Sequence, residues 1–107
     1  MKETRYNQLM DDVMMAIEDA IDESGVDIDY ENAGGILTLS PENGAPVIIS
    51  RQVPLKQLWV AARSGGFHFA YDEESGQWFC DTTRESLLEL LNRCLTEQAG
   101  ETVTLSF

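Results

Sequence analysis

Seven carboxylates fall within fourteen positions: Glu18, Asp19, Asp22, Glu23, Asp27, Asp29 and Glu31, with no Lys, Arg or His among them. Between Tyr6 and Ser50 there are ten acids and no basic residue, so this window holds most of the formal net charge of −12. Oxygen donors of this kind suit hard cations such as ferrous or ferric iron, manganese or calcium. They suit a basic protein surface equally well, with complementary charge steering the encounter. The pattern of a closed metal site is missing: there is no EF-hand loop, no His-x-x-x-His and no cysteine cluster. A cation held here would be exposed, completed by water and weakly bound. The plainest alternative is a solubilising face, since runs of like charge are usually solvated. Against it, protein surfaces usually mix their signs, and here the repulsion stands unrelieved.

Composition narrows the partners. A pI near 4.2 argues against nucleic acid and anionic lipid, because binding phosphates needs Lys and Arg to release counterions. No apolar run approaches the roughly 20 residues of a membrane-spanning helix, and the first residues lack a basic stretch followed by an apolar one, so no secretory signal is expected. Cys80 and Cys94 are the only cysteines and form no paired-thiol motif. They read as small core residues of a reduced, cytoplasmic protein.

The acids must be positioned by the elements that carry them. From Thr4 to about Glu23, Tyr6, Leu9, Met10, Val13, Ala16, Ile17, Ala20 and Ile21 recur at three- and four-residue steps, which predicts an amphipathic helix. Asp11, Glu18 and Asp22 line one flank of its stripe, and Asp12, Asp19 and Glu23 the other. Glu18/Asp22 and Asp19/Glu23 are like-charge neighbours four apart, in the last turns, where the helix dipole disfavours anions. Ser24-Gly25 ends the helix. The period then becomes two, with Val26, Ile28 and Tyr30 facing one way and Asp27, Asp29 and Glu31 the other. If that first strand lies beside the helix end, the two sets of acids merge into a ridge.

Further strands are expected at Ile36–Leu39, Val47–Ile49, Leu55–Ala62, Phe67–Tyr71 and Gln77–Cys80, with turns at Ala33-Gly34-Gly35, Glu42-Asn43-Gly44 and Ser64-Gly65-Gly66. A second helix is expected to begin near Thr82, capped by Thr82-x-x-Glu85 and stopped by Gly100, with Leu87, Leu88, Leu91, Cys94 and Leu95 as its buried stripe. The tail Val103, Leu105, Phe107 alternates as though packing back on the body. The economical arrangement is an α+β fold, a two-layer sandwich with the N- and C-terminal helices on one face of a five- or six-stranded antiparallel sheet. It is read as a single domain over residues 1–107. Alternation places Gln57 and Trp59 on the wet face of their strand, where an exposed Trp suits an interface anchor. Trp78 reads as core. His68, on an aromatic strand, is a structural histidine or a peripheral metal ligand. The Gly65-Gly66 pair is turn chemistry, because a phosphate cradle would need a helix after it.

The segment Ser50-Arg51-Gln52-Val53-Pro54-Leu55-Lys56-Gln57-Leu58-Trp59-Val60-Ala61, followed by Gly65-Gly66-Phe67-His68-Phe69, resembles the signature of the frataxin family, and most closely its bacterial CyaY-type branch. The likeness extends to the acidic first helix, Glu42-Asn43-Gly44, Gln77-Trp78-Phe79-Cys80-Asp81 and Gln98-Ala99-Gly100-Glu101-Thr102-Val103, and departs at Ser50, where the family usually has Asn. The resemblance implies a frataxin-like sandwich and a role in iron–sulfur cluster assembly. It implies weak iron binding on Glu18, Asp19, Asp22, Glu23, Asp27, Asp29 and Glu31. It also implies docking on the cysteine desulfurase and the scaffold protein, through Glu18, Asp19, Asp22 and Glu23 and through an outer sheet face that includes Gln57 and Trp59. The expectation is therefore a monomeric, non-enzymatic iron-binding regulator. The other readings are an iron-oxidising storage protein, for which no Glu-x-x-His pair of a di-iron site is present, and an acidic decoy that occupies a nucleic-acid-binding protein.

Overall fold

The computed structural model describes residues 1–42 and 44–107; Asn43, in the expected Glu42-Asn43-Gly44 turn, lies outside them. The chain runs α1 (Glu3–Ser24), β1 (Ile28–Ala33), β2 (Ile36–Pro41), β3 (Val47–Gln52), a 3-10 turn (Val53–Leu55), β4 (Gln57–Ala62), β5 (Gly65–Asp72), β6 (Gln77–Cys80) and α2 (Leu87–Ala99). The six strands pair in sequence order as an antiparallel meander, so β1 and β6 are the two edges. Both helices cover one face, as the two apolar stripes require. Among the described residues, no helix is long and apolar enough to cross a membrane.

The core lies between the layers. Tyr6, Met10, Met14, Ile17, Ala20 and Ile21 of α1 are buried, and so are Leu87, Leu90, Leu91, Cys94 and Leu95 of α2. They close over the inner face of the sheet, where register aligns Leu37 with Ile49 and Ile49 with Val60, and Leu58 with Phe69 and Phe69 with Cys80. Trp78 is 4 % exposed, as its core reading required. A buried phenol is tolerated where its hydroxyl finds partners. Tyr6 donates to the Gln57 carbonyl at 2.6 Å and accepts the Gln52 amide at 3.0 Å, which pins the first turn of α1 across the β3–β4 connection.

The turns follow backbone chemistry. Gly34 and Gly35 have φ of 62° and 80°, the two positive values of the tight hairpin turn whose twist matches its strands. Strand β4 begins at Gln57 rather than Leu55. Pro54 sits in the first turn of the 3-10 segment, where its missing N–H costs nothing, and Lys56 then takes a left-handed conformation with its amide bonded to Val53.

The start of α2 differs from expectation. Thr82 does not cap it. The Cys80 amide bonds the Glu85 carbonyl at 2.8 Å and Phe79 bridges Ser86, so this stretch is still pairing with β6. The Glu85 carboxylate is taken by Arg93 at 2.8 and 3.1 Å. The capping box is instead Ser86-x-x-Glu89: Ser86 Oγ accepts the Glu89 amide at 3.2 Å, and Glu89 accepts the Ser86 amide at 3.1 Å. Ser86→Ala should therefore cost about 1 kcal/mol in urea unfolding, in the usual range for a lost N-cap. Thr82→Ala should shift the midpoint far less, and the reverse order would return the cap to Thr82.

Candidate functional site

Gly25, at φ 71°, stops α1 in the left-handed conformation and redirects the chain into edge strand β1. The turn sets the last two turns of α1 beside β1. Tyr30 and Asn32 point toward the helix: the Tyr30 hydroxyl donates to Asp22 at 2.8 Å, and Asn32 Nδ2 donates to Glu18 at 3.3 Å. Asp29 and Glu31 alternate to the other face of the strand, opposite Ser40 and Thr38. The predicted ridge thus straddles the β1 edge, with Glu18, Asp19, Asp22 and Glu23 on the helix side and Asp29 and Glu31 on the outer side. Among the described residues, no Lys or Arg forms an ion pair with any of the seven acids. The ion pairs lie elsewhere: Arg5 with Glu73, Arg51 with Asp11, and Arg93 with Glu85 and Glu97.

Two titrating groups register the negative field. The Tyr30 phenol is held above its ordinary range, first by donating to Asp22, then by partial burial and by the charges of Asp22, Glu18 and Asp19. Asp27 belongs to a second cluster that sequence reasoning did not assemble. Because Ile28 pairs with Pro41, Asp27 falls beside Glu42. The Glu42 carboxyl is raised first by a hydrogen bond with Asp27, then by that residue's charge, by burial and by Asp29 and Glu101. Asp27, Glu42, Ala99 and Glu101 line a small polar hollow of about 90 Å³. Glu101 lies seventy residues from Glu31 in the chain, so only strand pairing and the end of α2 bring it there.

The donor set is all carboxylate and, apart from half-buried Glu18, exposed. Among the described residues, no three His, Cys, Asp or Glu side chains converge to cage a metal ion. What the ridge can do chemically is lower the potential along one edge and offer single or paired oxygens to a hydrated hard cation.

The outer sheet face holds the other predicted residues. Trp59 lies between Ser50 and His68 in register. Its indole N–H donates to Gln57 Oε1 at 2.9 Å, and its ring stacks on exposed His68 at 4.3 Å and 16°. Gln57, Trp59 and His68 thus form one half-exposed patch, distinct from the helix side of the ridge.

Repulsion sets two expectations for stability. Glu23, with no bonded partner among the described residues, should gain from Glu23→Gln by about 0.2–0.5 kcal/mol in metal-free thermal melts. Asp22 differs, because Tyr30 donates to it: Tyr30→Phe should lower the melting temperature rather than raise it. For Glu42 the sign runs with pH. Its raised value means the folded chain keeps that proton to higher pH than the unfolded chain does. Stability is therefore lost as pH rises from the ordinary carboxylate value of about 4.3 through the raised one. Glu42→Gln should raise the melting temperature at neutral pH, with the gain vanishing below pH ~4.

Comparison with known proteins places this geometry. The model of the frataxin-like domain matches residues 1–101. The iron-sulfur cluster assembly protein CyaY of Pseudomonas paraeruginosa is 59% identical over 103 residues, covering 96% of this chain and 95% of that one. The protein of the same name in Pseudomonas aeruginosa is 56% identical over the same length and shares of each chain. The solved frataxin of Psychromonas ingrahamii superposes with a TM-score of 0.90 at 37% identity over all of both chains. With its two helices over a six-stranded antiparallel meander and this extent of sequence identity, the chain belongs to the frataxin family, in its bacterial CyaY-type branch.

Proposed function

We propose that this protein is a non-enzymatic acidic adaptor of iron–sulfur cluster assembly, which takes up ferrous or ferric iron weakly on its ridge and regulates sulfur transfer by docking on the cysteine desulfurase and the scaffold. The observation that carries this reading is the ridge itself: seven carboxylates along one edge with no ion pair among the described residues, in a chain whose relatives are named for cluster assembly. Charge left unpaired on a folded surface is available to a partner, whereas charge already paired is not.

Each part of the surface has a distinct role in this reading. Glu18, Asp19, Asp22 and Glu23 meet a basic patch on the desulfurase and speed the encounter. Asp27, Asp29 and Glu31, with Glu42 and Glu101 beside Asp27, add carboxylate oxygens for iron, which arrives as cargo and keeps several water ligands. Bound iron screens the ridge and so weakens or reshapes the same contact. Gln57 and Trp59, braced by His68, supply a flat aromatic patch for the second contact, with Trp59 as its anchor. A single-domain, cytoplasmic monomer suffices for all of this.

Charge is the decisive variable. Affinity for the desulfurase should fall steeply between low and physiological salt. Reversing Asp19, Asp22 and Glu23 to Lys should weaken it by more than about tenfold, or ~1.4 kcal/mol. Unchanged, salt-independent affinity would sink the proposal. The iron-oxidation reading requires oxygen consumption on adding ferrous iron, and the expected rate equals that of the protein-free control.

A further inference from the structure

At the opposite edge of the sheet from the ridge, the two helices leave a groove. The tail after Gly100 shows how chain lies in it. Thr96 Oγ1 donates to the Val103 carbonyl at 3.2 Å and accepts its amide at 2.9 Å. Asn92 does the same for Leu105, at 3.2 and 2.7 Å. Two side chains of α2 thus stand in for a neighbouring strand, and the residues they clasp, Val103 and Leu105, are each 2 % exposed. Phe107, next in the alternation, is 40 % exposed and forms one wall of a cavity of about 380 Å³. The floor and other walls are mainly Leu9, Val13, Ala16, Trp78, Leu87 and Leu88. A volume of this size lies within the ~300–1,000 Å³ typical of ligand pockets, and it holds one large side chain with its backbone.

The rim selects the occupant. Asp12 lines the cavity and is exposed. One of its oxygens accepts from Gln8 at 2.9 Å, and no ion pair involves it among the described residues. Asp19 and Glu23 follow seven and eleven positions later, which at 3.6 residues per turn keeps them on the flank of Asp12. Arg5, which lies over the ring of cavity-lining Tyr71, is held by both oxygens of Glu73 at 2.6 and 3.1 Å. An apolar floor under an acidic rim is complementary to an apolar side chain flanked by cations. It opposes acidic segments through like charge.

We propose that this groove docks a basic, extended segment of a partner protein, with one Leu or Phe anchor in the cavity between Leu9, Val13 and Leu88 and a neighbouring Lys or Arg against Asp12. The cavity itself is lined by none of the seven ridge acids, although Asp19 and Glu23 extend its rim toward the ridge, and the proposal does not depend on the iron or desulfurase reading.

Three synthetic peptides test this in amide NMR titrations of the whole chain: Lys-Lys-Leu-Phe-Lys-Lys, its Glu-flanked counterpart, and Lys-Lys-Gly-Ser-Lys-Lys. The first should move the signals of Leu9, Val13, Ala16, Leu88 and the Trp78 indole. The second should move none of them, and the third only residues of the ridge. Asp12→Lys should weaken the first peptide's effect on the groove about tenfold, and Ala16→Phe, which fills the cavity, should abolish it. Should Ala16→Phe fail to fold, the exposed Asp12→Lys variant decides alone. Groove signals that stay still with the first peptide, or that move equally with the Glu-flanked one, would overturn the proposal. Groove signals that shift with protein concentration and no peptide would overturn it too, by assigning the cavity to a second copy of this chain.

Discussion

The ridge exists because α1 cannot turn. Six buried side chains lock one stripe of the helix onto the sheet, and the Tyr6 hydroxyl, bonded to two backbone groups across the β3–β4 connection, fixes its first turn. Each of those contacts opposes rotation about the helix axis. With the stripe buried, the acid flanks have nowhere else to go: Glu18 and Asp22 end beside β1, and Asp12 lines the cavity between the helices. Repulsion of a few tenths of a kcal/mol per helical pair is small against the burial of side chains worth roughly 1.5–3 kcal/mol each. The core therefore holds the acids at their spacing against their mutual repulsion.

The edge position gives the same charges a second consequence. An unpaired edge strand is a template for association, and charged side chains are a common way to blunt it. Asp29 and Glu31 do that for β1, where carboxylates alternate with Tyr30 and Asn32. An edge kept open by charge is also one that a complementary partner can approach. Solubility and recognition are thus two uses of one potential, and a variant that alters one must be examined for the other.

Basic residues are placed so as not to interfere. Arg51 reaches from β3 to Asn7 and Asp11 at the first half of α1, Arg5 is spent on Glu73, and Arg93 braces the chain ahead of α2 through Glu85. Each ties elements together far from the end of α1. The result is a molecule with three unlike surfaces: an acidic edge, an aromatic patch around Trp59 and His68 on the outer sheet face, and an apolar groove with an acidic rim between the helices. Exposed charge, stacked rings and an open cavity recognise different chemistry, so they suit different contacts, with Asp19 and Glu23 common to the ridge and the rim of the groove.

Periodicity alone determined much of this. The three-and-four spacing from Tyr6 to Ile21 and the alternation from Val26 to Glu31 are local consequences of burying one face, so the helix, the strand and the acids they carry were legible residue by residue. Alternation likewise set Trp59 and Gln57 on the wet face. The start of α2 was misplaced because Thr82-x-x-Glu85 and Ser86-x-x-Glu89 satisfy the same local rule. Only the pairing of Cys80 with Glu85, a contact with β6, decides between them. Tertiary structure alone could bring Glu42 and Glu101 to Asp27, set Tyr30 and Asn32 against the helix acids, and leave a cavity at Phe107. Spacing along a chain records which face a residue takes, whereas which faces meet depends on strand register and helix placement, and those are settled by the packing of the whole core.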